Sequence, residues 1–284
     1  MDFIRPFDDT KAFDTGCRGY RAQFLSNLES ALFINSHIQE GGCGPSLHYH
    51  HVDQLYFLLD GHMTVQLGDH THDVQPGTLV FIPAGLAHRN WNDGPGSETH
   101  FEMIIPAPSP GAPIAHLVDT ADDVPAEWRT ERSGRLERVV PQSFREPLPG
   151  FRVQLLADSG SGVDSAVIIY AEVEPGGAGP GTHIHEFDQY YLVLEGELTI
   201  EVALQKHQVG PRTLVVLPAG VPHRQYNAGN AVERHLTINT PAPKSDGLWD
   251  IGVVFEADGH GHSGLTRPEP SADTTESAAL STSR

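Results

Sequence analysis

An all-β chain built from two tandem copies of one barrel or sandwich unit is what this sequence predicts, on three observations. There are 29 Gly and 22 Pro among 284 residues, an internal repeat at a fixed offset of 135 residues, and a texture of short strands separated by tight turns. Turn-formers at that density cut a chain into short segments, and the length suits two domains of ordinary size.

The repeat aligns Gly41-Gly42-Cys43-Gly44-Pro45-Ser46-Leu47-His48-Tyr49-His50 with Gly176-Gly177-Ala178-Gly179-Pro180-Gly181-Thr182-His183-Ile184-His185. It runs on through Gln54/Gln189, Tyr56/Tyr191, Gly61/Gly196, Pro83-Ala84-Gly85/Pro218-Ala219-Gly220, His88-Arg89/His223-Arg224 and Asn92/Asn227, and ends at Pro106-Ala107-Pro108/Pro241-Ala242-Pro243. A match of this length at one offset is the mark of duplication.

Within the first copy, Leu55 to Leu59 reads as a strand, Asp60-Gly61 as a hairpin turn and His62 to Leu67 as an alternating partner strand. The second copy repeats this as Tyr190 to Leu194, Glu195-Gly196 and Glu197 to Val202. Pro76-Gly77 and Pro83-Ala84-Gly85 bracket a further strand, Thr78 to Ile82. The expected division is an N-terminal domain over residues 1–115, a polar connector over 116–149 with a short helix between Asp119 and Glu137, a C-terminal domain over 150–257 and a tail over 258–284. The tail is Gly, Ser, Thr, Pro and Ala, buries too little apolar area to offset its ordering entropy, and is expected to be disordered.

The formal net charge of −19, with Lys11, Lys206 and Lys244 the only lysines, excludes a basic field for nucleic acid or an anionic membrane surface. No apolar run reaches the length of a membrane span, and acidic Asp8 and Asp9 stand where a signal peptide needs an apolar core. Cys17 and Cys43 form no disulfide framework. A cytoplasmic location is the expectation.

Seventeen histidines stand apart from this composition. In His48-Tyr49-His50 the first and third side chains of a strand share one face. Gln54 returns to that face if the strand continues, and His88 ends another strand just past a Pro-x-Gly turn. The second copy offers His183, His185, Gln189 and His223. Imidazole nitrogens with one amide oxygen suit a divalent first-row metal and leave room for substrate.

The spacing Gly44-x3-His48-x-His50-x3-Gln54-x6-Gly61, followed by Gly77-x5-Pro83-x-Gly85-x2-His88-x3-Asn92, resembles the two signature motifs of the cupin superfamily, and their repetition resembles a bicupin. The resemblance covers about residues 20–115 and 150–245. It implies two antiparallel jelly-roll barrels, each holding a divalent metal, with Fe(II) or Mn(II) first and Ni(II), Co(II) or Zn(II) as alternatives.

Two departures from the motif matter. The usual fourth ligand, Glu, is Gln54 in one copy and Gln189 in the other, so all protein ligands are neutral and the site favours an anionic chelating substrate. Arg212 replaces the motif glycine at the position of Gly77, which points to a different turn. Without a ligating carboxylate a base must come from elsewhere. Glu98 and His100, repeated as Glu233 and His235, share one strand face and are the candidates for catalytic or orienting roles.

Other residues read more plainly. Tyr56 and Tyr191 pack in the core, with substrate contact as the alternative; Arg89 and Arg224 are weaker candidates for substrate contact. Asn92 and Asn227 brace the loop after the last ligand. Asp53, Asp188 and His51 point away from the ligand face, and both aspartates read as surface residues. His37, His62, His70, His72, His116, His207, His260 and His262 are ordinary surface or core histidines.

Three functions compete. The first is a metal-dependent dioxygenase on a small anionic, enolisable or phenolic substrate, resembling quercetinase-like bicupins. The second is a non-redox isomerase or lyase of an α-keto acid or enolate, resembling the bacilysin-pathway bicupin isomerase, which the Gln ligands favour. The third is a non-catalytic ligand-binding bicupin. The dioxygenase leads narrowly, and a homo-oligomer formed through strand edges is compatible with all three.

Overall fold

The computed structural model describes residues 2–244, 247, 249–257 and 263–266. Within that range the chain is two β-sandwiches, each a seven-stranded sheet packed on a five-stranded one. In the first copy the seven strands run in the order Arg135–Arg138, Thr78–Ile82, Asp53–Asp60, Glu98–Ile105, Ala31–Ile38, Tyr20–Leu28, Phe13–Asp14. The five-stranded sheet runs His116–Leu117, His48–Tyr49, His88–Trp91, Met63–Leu67, His70–Val74. The second copy repeats both sheets, with all neighbouring strands antiparallel.

Two kinds of core hold the layers. Inside each sandwich Tyr56, Leu58, Val80 and Ile82 meet Met63, Val65, Leu67 and Val74, and the second copy repeats this around Tyr191, Val193 and Ile200. Between the copies the outward residues of the same strands, Leu55, Phe57, Phe101 and Met103, join Ile168, Tyr190, Leu192 and Leu236 in one shared cluster. Phe33 packs edge-on against Tyr190 with ring centroids 4.6 Å apart. The large sheets are thus buried on both faces, which is why Leu55 to Leu59 is continuously apolar instead of alternating.

The copies also exchange edge strands. Ile4–Pro6, ahead of the first copy, pairs with Thr213–Leu217 of the second, and Arg135–Arg138, ahead of the second copy, pairs with Thr78–Ile82 of the first. Each covers an edge that would otherwise offer unpaired backbone groups. The segment 116–149 is therefore more than a spacer, since His116–Leu117 and Arg135–Arg138 complete sheets of the first copy and Arg145–Leu148 joins the second. The helix expected between Asp119 and Glu137 is only a 3-10 turn, Ala121–Asp123, because strand pairing with Thr78–Ile82 claims the residues from Arg135 onward. Of the expected tail 258–284, Ser263–Thr266 pairs with Val254–Ala257, and the remainder lies outside the described residues.

Two sequence expectations are corrected here. Asp53 and Asp188 are not surface residues but reciprocal ties. Asp53 is buried, accepts from the Ala84 amide at 2.9 Å and from Ser165 Oγ of the second copy at 3.1 Å, and pairs with Arg132 at 2.7 Å. Asp188 accepts from the Ala219 amide at 2.8 Å and from Ser30 Oγ of the first copy at 2.6 Å. The turn at Arg212 is not a different turn. Arg212 has φ 57° where Gly77 has 79°, and its amide bonds Val193 O at 2.8 Å just as Gly77 bonds Leu58 O at 2.9 Å. A side chain in this left-handed region costs energy, and Arg212 reaches Asp60 of the first copy with its guanidinium.

Asp53→Ala strands a buried amide and leaves Arg132 without its partner, so it should lower unfolding free energy by about 2–3 kcal/mol. Chemical denaturation of the variant checks this, and a loss under about 0.5 kcal/mol, the size of an ordinary surface change, contradicts the buried tie.

Candidate functional site

Strand geometry assembles the ligand face. His48 and His88 are register partners on neighbouring antiparallel strands, and His50 follows His48 by two residues. His183 and His223 pair in the same way, with His185 beside them. All six imidazoles are buried, and within each triad one ring nitrogen per histidine lies within 4.8 Å of the other two.

Every Nδ1 of these histidines faces a backbone carbonyl. The partners are Ser46, Ile114 and Leu86 for His48, His50 and His88, at 2.8, 2.5 and 2.9 Å. For His183, His185 and His223 they are Gly181, Trp249 and Val221, at 2.6, 2.7 and 2.9 Å. A carbonyl only accepts, so each Nδ1 carries the proton and each Nε2 presents a lone pair to the barrel interior. Burial disfavours the charged form of five of the rings, lowering the pKa of His48, His88 and His185 and bringing those of His50 and His223 down to about 3. The carbonyls of Ile114 and Trp249, again 135 residues apart, escaped the sequence reading because the repeat has no side-chain identity there.

The amides complete the sets. Tyr56 donates its hydroxyl to Gln54 Oε1 at 3.1 Å while Gln54 Nε2 donates to Glu102 Oε1 at 2.5 Å. In the second copy Tyr191 donates to Gln189 Oε1 at 2.7 Å and Gln189 Nε2 donates to Asn239 at 3.0 Å. The tyrosines therefore pack in the core and also orient the amides.

These donors fit a metal ion. His50 Nε2 and His88 Nε2 are buried with no hydrogen-bond partner, which is costly unless a ligand takes them. In the second copy Gln189 Oε1 approaches His223 Nε2 to 3.0 Å and His183 Nε2 approaches His185 Nε2 to 3.2 Å. Lone pairs facing one another at that range repel, and a cation among them reverses the sign. Asp250 Oδ1 lies 3.8 Å from His183 Nε2, at the position that is Ala115 in the first copy.

Glu98 and His100 are both buried, with His100 Nδ1 3.0 and 3.1 Å from the Glu98 carboxylate oxygens. Burial opposes charge on His100, but Glu98 outweighs it, Glu102 adds to that, and the net shift is upward. Glu233 and His235 repeat the pair at 2.9 Å. Arg89 and Arg224 point out of the barrels to Gln66 and Glu201 and do not face the triads. His51 stacks on Trp128 at 3.6 Å, away from the ligand face. Asn92 and Asn227 brace their loops as expected, each bonding two carbonyls and one amide.

A cavity of about 200 Å³ adjoins the first triad, lined by His48, His50, Gln54, His100 and Glu102 among others. Glu102 was missed by sequence reading, although it is the next step of the alternation Glu98, His100, Glu102. Burial raises its carboxyl pKa, and Ser36 and Tyr20 lie 3.3 and 3.4 Å from Oε2. Strand register puts Phe151, Ala171 and Thr237 where the first copy has Tyr20, Ser36 and Glu102. The polar trio thus exists in one copy only.

Two sandwiches, each closing a His3Gln set inside a barrel, define a tandem jelly-roll metal-site protein. The cupin domain model matches residues 35–105 and 169–238, and the chain belongs to the cupin superfamily as a bicupin. An uncharacterized protein of Streptomyces coelicolor, SCO3923, is 29% identical over 82 residues, covering 29% of this chain and 76% of that protein. Among solved structures, oxalate decarboxylase from Bacillus subtilis at pH 4.6 superposes with a TM-score of 0.64 at 16% identity, over 86% of this chain and 77% of that one. The putative glyoxylate induced protein from Pseudomonas aeruginosa gives 0.65 at 17% identity, over 86% and 91%. At such identities the likeness is one of fold. Among the described residues no helix is long and apolar enough to cross a membrane.

Replacing His48 and His183 together by Ala should abolish tight binding of divalent metal at both triads, each single variant losing one site. Elemental analysis after dialysis reads this directly, and unchanged metal content in the double variant overturns the ligand assignment.

Proposed function

We propose that this chain is a metal-dependent enzyme acting at the N-terminal site on a small anionic, chelating substrate by non-redox chemistry, as a lyase or isomerase of a 2-oxo acid or enolate. The observation that carries the proposal is the Tyr20, Ser36 and Glu102 trio, which puts a carboxyl group beside the first triad, in a cavity large enough for a substrate, and is missing from the second copy. His48, His50, His88 and Gln54 would hold the ion, with His183, His185, His223 and Gln189 holding a second. A divalent ion supplies Lewis acidity there, polarising the oxygens of a bound anion.

The remaining roles belong to the chain itself. Neutral ligands leave the ionic charge uncompensated, so an anion is the preferred guest. Glu102 lines the cavity and is placed to hold or move a proton at its carboxyl oxygens, while Tyr20 and Ser36 fix its orientation. His100 also lines the cavity, and Glu98 acts as its positioning residue. Glu233 and His235 repeat that pair without an acid corresponding to Glu102, which assigns the second copy a supporting part.

Further support comes from Bacillus subtilis oxalate decarboxylase, a decarboxylating enzyme on a small anion whose Mn(II) centres have been studied. Mn(II) or Fe(II) is accordingly our proposed ion. The dioxygenase reading takes second place, because the fourth ligand in each copy is an amide instead of the carboxylate that such chemistry can use as a base.

Turnover of 2-oxo acids and 1,3-diketones by the metal-loaded protein should proceed without oxygen consumption, and Glu102→Gln should cut it about 100-fold with metal content unchanged. An oxygen electrode run beside product analysis checks this. Stoichiometric oxygen uptake would restore the dioxygenase, and full activity in Glu102→Gln would remove Glu102 from the chemistry.

A further inference from the structure

The N-terminal cavity carries information about the shape of its guest. Its inner end is polar, with His48, His50, Gln54 and Glu102, while Ala22, Ile34, Ile114 and Ala115 make its walls apolar. At the outer end stand Phe13 and Phe24, with ring centroids 5.2 Å apart. They are 41% and 52% exposed although they line a cavity. Large aromatic side chains left in water at the mouth of a largely apolar cavity have surface to offer a ligand.

Charge sharpens the point. Among the described residues lining the cavity none is Arg or Lys. Apart from His100, whose charge Glu98 already pairs, an ion held by the triad is then the positive partner for an anionic guest. A dianion whose second carboxylate lies beyond chelating reach of that ion, such as 2-oxoglutarate, would keep it among apolar walls, at high desolvation cost. A monoanion with its charge at one end and an apolar remainder satisfies both ends of the cavity.

The second copy provides an internal comparison. Strand register places Leu155 where the first copy has Phe24, and Arg145 where it has Phe13. The paired aromatic mouth, like the polar trio, belongs to the first copy alone.

We infer that the N-terminal site takes a monoanionic 2-oxo acid bearing an aromatic side chain, its carboxylate and keto oxygens at the triad and its ring against Phe13 and Phe24. This rests on the reading that the first triad holds a metal ion.

The test measures dissociation constants of phenylpyruvate, pyruvate and 2-oxoglutarate by calorimetry, on metal-loaded protein and again after chelation, since Phe13 and Phe24 belong to the chain and not to the ion. Phenylpyruvate should bind about 30-fold tighter than pyruvate. The variant Phe13→Ala with Phe24→Ala should bring that ratio to within about threefold of unity while pyruvate affinity stays unchanged, and Leu155→Ala should leave the ratio intact. A wild-type ratio near one, 2-oxoglutarate binding tighter than phenylpyruvate, or an undiminished ratio in the double variant would each overturn the inference. Metal content of the same samples separates the two readings: metal bound with a ratio near one sinks only the aromatic substrate, whereas absent metal with the ratio preserved after chelation sinks the metal site and keeps the mouth.

Discussion

Three uncharged imidazoles held out of water impose the conditions that the rest of each barrel meets. A buried N–H is costly without an acceptor, and the chain supplies a carbonyl to each of the six. For His50 and His185 that carbonyl comes from 64 residues away, at Ile114 and Trp249, so each triad is tied to the segment that closes its own barrel. The free lone pairs then converge on one point. Around that point the hydroxyl of Tyr56 donates to Gln54 Oε1 and fixes the amide beside the converging acceptors, an arrangement that suits a cation.

Building such a site twice solves a second difficulty, the exposed backs of the sheets. Each seven-stranded sheet has its barrel on one side and would show Phe33, Phe57 and Phe101, or Tyr190 and Leu192, to water on the other. Back-to-back packing of the copies removes both surfaces at once. The polar ties are reciprocal in the same sense, Asp53 to Ser165 and Asp188 to Ser30, and the exchanged edge strands extend the reciprocity to the backbone. The metal-binding faces thereby stay on opposite sides of a shared core and are free to diverge.

How much of this could be read from the residues alone depends on the range of the interaction. The two histidine triads were legible because strand period and the 135-residue offset are local and repeated. Jelly-roll architecture followed from motifs whose turns, such as Pro83-Ala84-Gly85, are also local. Asp53 was misread because its strand face was judged against its own copy only, while its partners Arg132 and Ser165 lie 79 and 112 residues away. Arg212 misled in another way: glycine is the usual occupant of a left-handed turn, and the ion pair with Asp60 that accompanies the exception is invisible in one dimension. Glu102 was hidden among the apolar residues Phe101, Met103 and Ile104, in a strand whose two faces are both buried, and the step of two from His100 was the one cue to it.

Duplication also explains why departures between copies inform more than agreements. Features common to both, the histidine triads with their glutamines, the Glu–His pairs and the loop-bracing asparagines, belong to the repeated unit itself. Features in one copy alone do not. Tyr20, Ser36 and Glu102 give way to Phe151, Ala171 and Thr237, three concerted changes from a hydrogen-bonded group to a mainly apolar one. A buried carboxyl is costly to maintain, and the second barrel shows that the architecture stands without it. Its presence in the first barrel, lining the cavity and bonded to Gln54, is the asymmetry on which the proposed chemistry rests. The aromatic mouth falls on the same copy, so the polar end and the apolar end of one cavity have been kept or acquired together.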